Sequence, residues 1–248
     1  MALVNTDAIV LRTYNLAEAD RIVLCLTRSA GLVRAVARGA RRMKSRFGAA
    51  LEPFTLIKLA FYEKENRELV TISHAEILKS HFVLAGRLEA AEVLAYMGEL
   101  VSEFSPPHEA NEKLFRMVVA CVEALAATPE AARLLLRYFE VWLLRLGGLF
   151  PEVRTCGKCG ASISDEQGAY LDGEVKLHCE TCSRSSATKL LQDTQRAMMA
   201  IQRLTPVQFA SQFAQLSDQA EAQLAGLTHR LIVRALDRRP RTMVASPR

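Results

Sequence analysis

The chain has 248 residues and a formal net charge of +5; half of its residues are hydrophobic and 24% are charged. That balance is ordinary for a globular protein of one large domain or two smaller ones, with ample room for a buried core. No apolar run approaches the roughly 18 to 20 residues that cross a bilayer, and the opening MALVNTDAIV has none of the parts of a signal peptide, so a cytoplasmic protein without a membrane partner is expected.

The first 80 residues read as strands. DAIVLRTY, DRIVLCLT, GLVRAVAR, FTLIKLAFY and ELVTISHAEI are short and rich in Val, Ile, Leu, Thr and aromatics, and Gly, Asn, Pro or charged clusters separate them. Five such strands in so short a length predict a small β-barrel, with an OB-fold as the leading candidate. Within GLVRAVAR the period of two puts Arg34 and Arg38 on one strand face, which Leu32 and Val36 share. The following GARRMKSRFGA has Gly at both ends of its basic run and reads as a long loop.

That loop and the strand before it concentrate charge. Arg34, Arg38, Arg41, Arg42, Lys44 and Arg46 are all cationic, and no acidic residue occurs between Arg21 and Leu51. Residues 1–80 hold 13 Lys/Arg against 8 Asp/Glu, whereas residues 81–248 hold 19 of each. Like charge at this density costs stability unless a polyanion or solvent relieves it, and it marks a nucleic-acid or anionic-surface binder. A solvated basic loop without a ligand is the alternative. Phe47, at the end of the run, suits stacking on a base, or equally an anchor packed into the barrel.

From about His81 the pattern turns helical. LAGRLEAAEVLAYMGELVSEF runs to the SPPH break at 105–108. NEKLFRMVVACVEALAA follows, with Leu114, Val118, Cys121 and Leu125 at helical spacing. Thr128 and Pro129 read as the N-cap and first position of a third helix, which Gly147-Gly148 ends and whose Phe139 and Trp142 are core residues. Residues 150–187 are rich in Cys, Gly, Ser and Asp. Two or three helices come next, with Leu191, Thr194, Met198 and Ile201 on one face, and a frayed tail from Pro240.

Four of the six cysteines form CGKC (Cys156, Cys159) and CETC (Cys179, Cys182), 19 residues apart. This is zinc-ribbon spacing. Two residues between thiolates let both reach one ion at about 2.3 Å, and four thiolates fill a tetrahedron, leaving no open position for water or substrate. One structural Zn2+ is expected, replacing a core that the insert cannot build. Gly160 suits the turn after the first pair, while Ser183 in the matching place suits it less. His178 adjoins Cys179 without being needed as a ligand, and Cys25 and Cys121 lie in apolar runs as buried thiols. No GxxxxGK[ST], HExxH, GxSxG or DxD-type cluster occurs, so no catalytic residue is assigned.

The stretch EADRIVLCLTRSAGLVRAVARGARRMKSRFGAALEPFTLIKLAFYEK, residues 18–64, resembles the RecO family of bacterial recombination mediators, above all in AVARGARRMKSRFGAALEPF. The order of strand module, helical body, four-cysteine insert and further helices agrees over nearly the whole chain. The resemblance implies an α+β protein with a DNA-binding OB-fold at 1–80 and an α-helical domain at 81–248. It implies a non-enzymatic protein that binds single- and double-stranded DNA and anneals complementary strands. It further implies contact with single-strand-binding protein and action with RecR, so that RecA loads onto coated strands. Not every member keeps the four cysteines, which argues against the metal performing the shared function. Single-strand-binding proteins end in an acidic, apolar-tipped tail. Arg230, Arg234 and Arg238, four residues apart near the C-terminus, form a candidate stripe for docking it; a solvated face is the alternative. Two other function classes fit less well: a zinc-ribbon module linked to RNA or transcription, and an enzyme whose site is dispersed in sequence.

Overall fold

The computed structural model describes residues 2–63, 69–164 and 167–244. The chain forms two compact units, Met1–Pro129 and Glu130–Arg248.

Five strands build the first unit: β1 (Ala2–Leu16), β2 (Asp20–Thr27), β3 (Gly31–Ala37), β4 (Leu56–Glu63) and β5 (Leu69–Lys79). They close into a barrel in the order β1-β2-β3-β5-β4. Closure depends on β1, whose first half pairs with β4 and whose second half pairs with β2, with a bulge between Val10 and Arg12. A bulge bends a strand and sharpens its twist, so one long strand can serve two sheet directions. A short parallel pairing of β3 with β5 completes the circuit. Alternation sends Val10, Val23, Cys25, Val33, Ala35, Ile57, Leu59 and Ile72 inward.

Two helices share this unit. α1 (Leu88–Phe104) buries Val93, Met97 and Leu100. Gly98 permits its close approach: a Cβ there would stand 3.3 Å from the Phe54 ring and 3.6 Å from the Leu11 carbonyl oxygen. α2 (Glu112–Ala127) starts at Asn111, whose side chain accepts a hydrogen bond from the Leu114 N–H. Thr128 does not cap the third helix, as the sequence suggested. Its N–H and its hydroxyl both donate to the Ala124 carbonyl, so it closes α2, and Pro129–Ala131 form a single 3-10 turn.

The second unit packs α3 (Ala132–Leu146), α4 (Gln192–Ile201), α5 (Pro206–Gln212) and α6 (Asp218–Leu236). α5 is the short extra helix, opened by Pro206 and a Thr205/Gln208 capping box. Gly148, in the left-handed region, ends the segment after α3. Thr194, Met198 and Ile201 form the buried face of α4, but Leu191 precedes the helix and is exposed. Arg137 of α3 lies fully buried, 3.1 Å from Glu140 and 3.3 Å from Glu221 of α6. The insert between α3 and α4 carries a small sheet of β6 (Ala169–Leu171), β7 (Leu177–Cys179) and β8 (Thr188–Lys189), ordered β7-β6-β8. Pro240 is buried, so the chain stays packed where the tail was expected to begin; residues 245–248 of that tail lie outside the described residues. No helix among the described residues is long and apolar enough to cross a membrane.

Candidate nucleic-acid interface and metal centre

All six residues of the cationic segment are exposed: Arg34 on the outer side of β3, Arg38 just past its end, and Arg41, Arg42, Lys44 and Arg46 in the loop beyond. None of them pairs with a carboxylate among the described residues. Three other cations of the unit do pair: Arg21 with Glu52 at 3.3 Å, Arg28 with Asp7 at 3.0 Å and Lys79 with Glu123 at 2.8 Å. The segment is therefore a local concentration of positive charge without acidic partners among the described residues.

The loop is held in place without being neutralised. The Arg41 guanidinium donates to the Ala17 carbonyl at 2.9 Å, and Arg46 donates to the Ile72 carbonyl at 3.4 Å. The Gly39 N–H donates to the Asp20 carboxylate at 2.8 Å. The far end is anchored by apolar burial, and here one expectation changes. Phe47 is only 4% exposed and belongs to the barrel core with Ala50 and Leu51, while the Arg46 guanidinium covers its ring at 4.9 Å. Buried this way, it is the anchor packed into the barrel, the other of the two roles its sequence suited, and does not offer a ring to a base. Burying an aromatic ring outweighs leaving it in water for an occasional ligand.

The stripe near the C-terminus is also altered. Arg230 and Arg234 lie exposed on α6, but the helix ends at Leu236 and Asp237 turns left-handed at φ +53°. Arg238 therefore lies beyond the helix and does not continue the row. Arg234 is close enough to Glu174 to help hold that carboxyl below its ordinary range, after the larger effect of Lys176.

The four insert cysteines converge. The Sγ atoms of Cys156, Cys159, Cys179 and Cys182 all lie within 4.8 Å of one another. Cys159 and Cys179 are 3.8 Å apart, about the edge of a tetrahedron with metal–sulfur bonds of ~2.3 Å. Each pair sits in a tight turn. Gly160 adopts φ +71° and its N–H donates to the Cys156 carbonyl at 2.9 Å. In the second turn the Ser183 N–H donates to the Cys179 carbonyl at 3.0 Å, and Ser183 itself is extended, so glycine is not required there.

The thiols are electrostatically unequal. Backbone N–H groups, that of Cys159 foremost, bring the Cys156 thiol down to about 5, while the neighbouring Cys159 sulfur pushes Cys182 up to about 12. Four sulfurs this close do not all ionise unless a cation takes up their charge, and a divalent ion does so. His178 is not a fifth ligand. Its Nε2 is 2.7 Å from the Asp172 carboxylate, which raises its pKa, and its Nδ1 is 4.0 Å from the Cys156 sulfur. Asp172 also accepts the N–H groups of Glu174 and Lys176, so it ties the β6–β7 turn to the cluster. Sequence reasoning missed this buttress, although the turn residues Asp172 and Gly173 before an alternating strand were its visible signal.

These features define a class: a strand-built barrel with an exposed cationic loop, joined to a helical unit whose insert brings four thiols together. The sequence model described as Recombination protein O N terminal matches residues 1–81, and that described as Recombination protein O C terminal matches residues 86–243. The chain belongs to the RecO family. It is 33% identical over 190 residues to the DNA repair protein RecO of Koribacter versatilis, covering 76% of each chain. It is 35% identical to that of Anaeromyxobacter sp. (strain K), over 74% of this chain and 72% of the relative. It is 37% identical to that of Bifidobacterium longum subsp. infantis, over 77% and 78%.

Proposed function

We propose that this chain is a non-enzymatic DNA-repair and recombination mediator, acting in the cytoplasm and at the nucleoid. In this reading residues 1–80 are the DNA-binding domain, an OB-fold, and residues 81–248 the helical domain. The five-strand circuit with its parallel β3–β5 pairing supports the OB-fold assignment. The observation that carries the proposal is the run of six exposed cations without acidic partners among the described residues, whereas Arg21, Arg28 and Lys79 each have one.

Arg34, Arg38, Arg41, Arg42, Lys44 and Arg46 contact phosphates of single- or double-stranded DNA. Such contacts are blind to sequence, which suits a protein acting at any damaged locus. The same positive surface screens two mutually repelling strands and so promotes annealing. The four-cysteine cluster holds one structural Zn2+, whose chemistry is to bind thiolates and stabilise the insert. Working with RecR, the protein helps RecA load onto strands coated by single-strand-binding protein. Arg230 and Arg234 assist docking of that protein's acidic tail, with Arg238 displaced from their row.

A salt series of DNA binding tests the proposal. If ~4 to 6 cations each neutralise a phosphate, log K against log salt falls with a slope of roughly −3 to −4 on single strands. Arg38→Ala or Arg42→Ala flattens it by a fraction of a unit to about one unit, on every sequence tried, and weakens annealing in parallel. A slope unmoved by both substitutions removes the segment as the DNA site.

A further inference from the structure

The outer face of the barrel holds a cleft, bordered by Arg34, whose apolar lining phosphate binding does not use. Strand register sets Arg12, Leu24 and Arg34 in one row across β1, β2 and β3, and Tyr14, Ile22 and Val36 in the next. Leu24 and Leu32 are nearly covered, whereas Tyr14 is 50% exposed. Between these strands and the chain leaving α1 opens a cleft of about 680 Å³. Ile22, Leu24 and Leu32 line it from the sheet, with Tyr14 and Arg34 beside them and Phe104 to Pro107 opposite.

The far wall is fixed. Pro107 runs parallel to Leu32, and the His108 N–H donates to the Leu32 carbonyl at 3.3 Å. Its volume falls in the range of about 300–1,000 Å³ typical of small-molecule sites. Ser105, whose buried hydroxyl has no hydrogen-bond partner among the described residues, also borders it.

Resting on the reading that this barrel binds DNA, we propose that the cleft receives an unpaired base of a single strand. The base stacks on Tyr14 above Ile22 and Leu24, and the adjoining phosphate meets Arg34. Charge complementarity selects this occupant: Arg34 is unpaired and stands at the head of the cationic run that continues through Arg38 into the loop. Glu103 lines the opposite side, so the phosphate lies toward Arg34 and away from it. Every base has a flat π-face, so stacking adds affinity without adding sequence preference. A duplex keeps its bases paired and gains nothing here. The cleft therefore gives a preference for single strands that phosphate contacts alone do not supply.

The test uses the full-length protein, labelled oligo(dT) and a duplex of equal length. Tyr14→Ala is expected to weaken oligo(dT) binding about 5- to 100-fold, with duplex affinity and the salt slope unchanged, because no counterion is released by stacking. Tyr14→Phe and Tyr14→Trp retain oligo(dT) affinity. Irradiating the wild-type complex with a 5-iodouracil oligonucleotide gives a cross-link at Tyr14. If Tyr14→Ala binds oligo(dT) like wild type while Arg34→Ala still flattens the slope, the cleft is no base site and only this inference falls. Equal losses on single strand and duplex overturn it in the same way. If Arg34→Ala, Arg38→Ala and Arg42→Ala all leave the slope unmoved, the DNA-binding reading falls with it.

Discussion

Arg137 and Glu140 show how costly a buried charge is and how geometry offsets the cost. Burial by itself raises the Glu140 carboxyl, but the Arg137 charge, the His229 ring at 3.3 Å and the Thr228 hydroxyl at 2.6 Å outweigh it and hold the pKa below its ordinary value. Glu221 on the other side of Arg137 goes the opposite way, raised because burial outweighs the same guanidinium. The signs follow from linkage. A depressed folded pKa contributes stability above the unfolded carboxylate range and loses it as pH falls toward the folded value; a raised one, as at Glu221, costs stability at neutral pH. Glu140→Gln should therefore destabilise the protein by about 3–5 kcal/mol at neutral pH, since it leaves Arg137 poorly compensated. The gap from wild type should narrow below about pH 4, where ordinary carboxyls protonate. Denaturant melts of both proteins at a series of pH values measure it, and a gap independent of pH contradicts the ionised Glu140.

Two turns decide how the elements fit. Gly31, between β2 and β3, has φ +68°, and a Cβ there would stand 2.4 Å from the Glu109 carbonyl oxygen. Both the backbone conformation and the close approach demand glycine. Gly31→Ala should cost about 2 kcal/mol or more and should be read as a lowered melting midpoint of the barrel unit. The other case is the insert, where metal and local fold are coupled. Freshly prepared, reduced protein should carry about one zinc per chain. Cys159→Ser should lose it and increase hydrogen exchange across β6 to β8 while the barrel strands keep their protection. Metal analysis that finds no zinc in the wild type removes the ion from this account.

Across the whole molecule, net charge is a poor guide to the interface. Residues 1–129 hold 16 Lys/Arg and 15 Asp/Glu, and residues 130–248 hold 16 and 12. Once α1 and α2 are counted with the barrel, the first unit is nearly neutral overall. What distinguishes it is the run of six exposed cations from Arg34 to Arg46 without acidic partners among the described residues. Residues 1–129 should accordingly bind DNA with most of the affinity of the full chain, and residues 130–248 much more weakly. Fluorescence anisotropy on the two fragments decides this, and equal affinities would move the interface away from the cationic segment.

Strand and helix classes, the four thiols and the cationic run were legible because each rests on local pattern. Alternation, helical spacing, paired cysteines and a gap in acidic residues survive in a linear string. Tertiary packing decided the rest. Phe47 reads equally as a ligand platform or an anchor until the barrel closes over it, and the three-arginine stripe holds only until Asp237 turns left-handed. Thr128 could cap either helix, and its hydroxyl went back to Ala124. The Arg137 cluster and the Tyr14 cleft join residues far apart in sequence, through helix packing in one case and strand register in the other. Local sequence specifies which element a residue occupies; only the packed fold specifies what that residue faces, because burial and partner geometry are properties of contacts between elements.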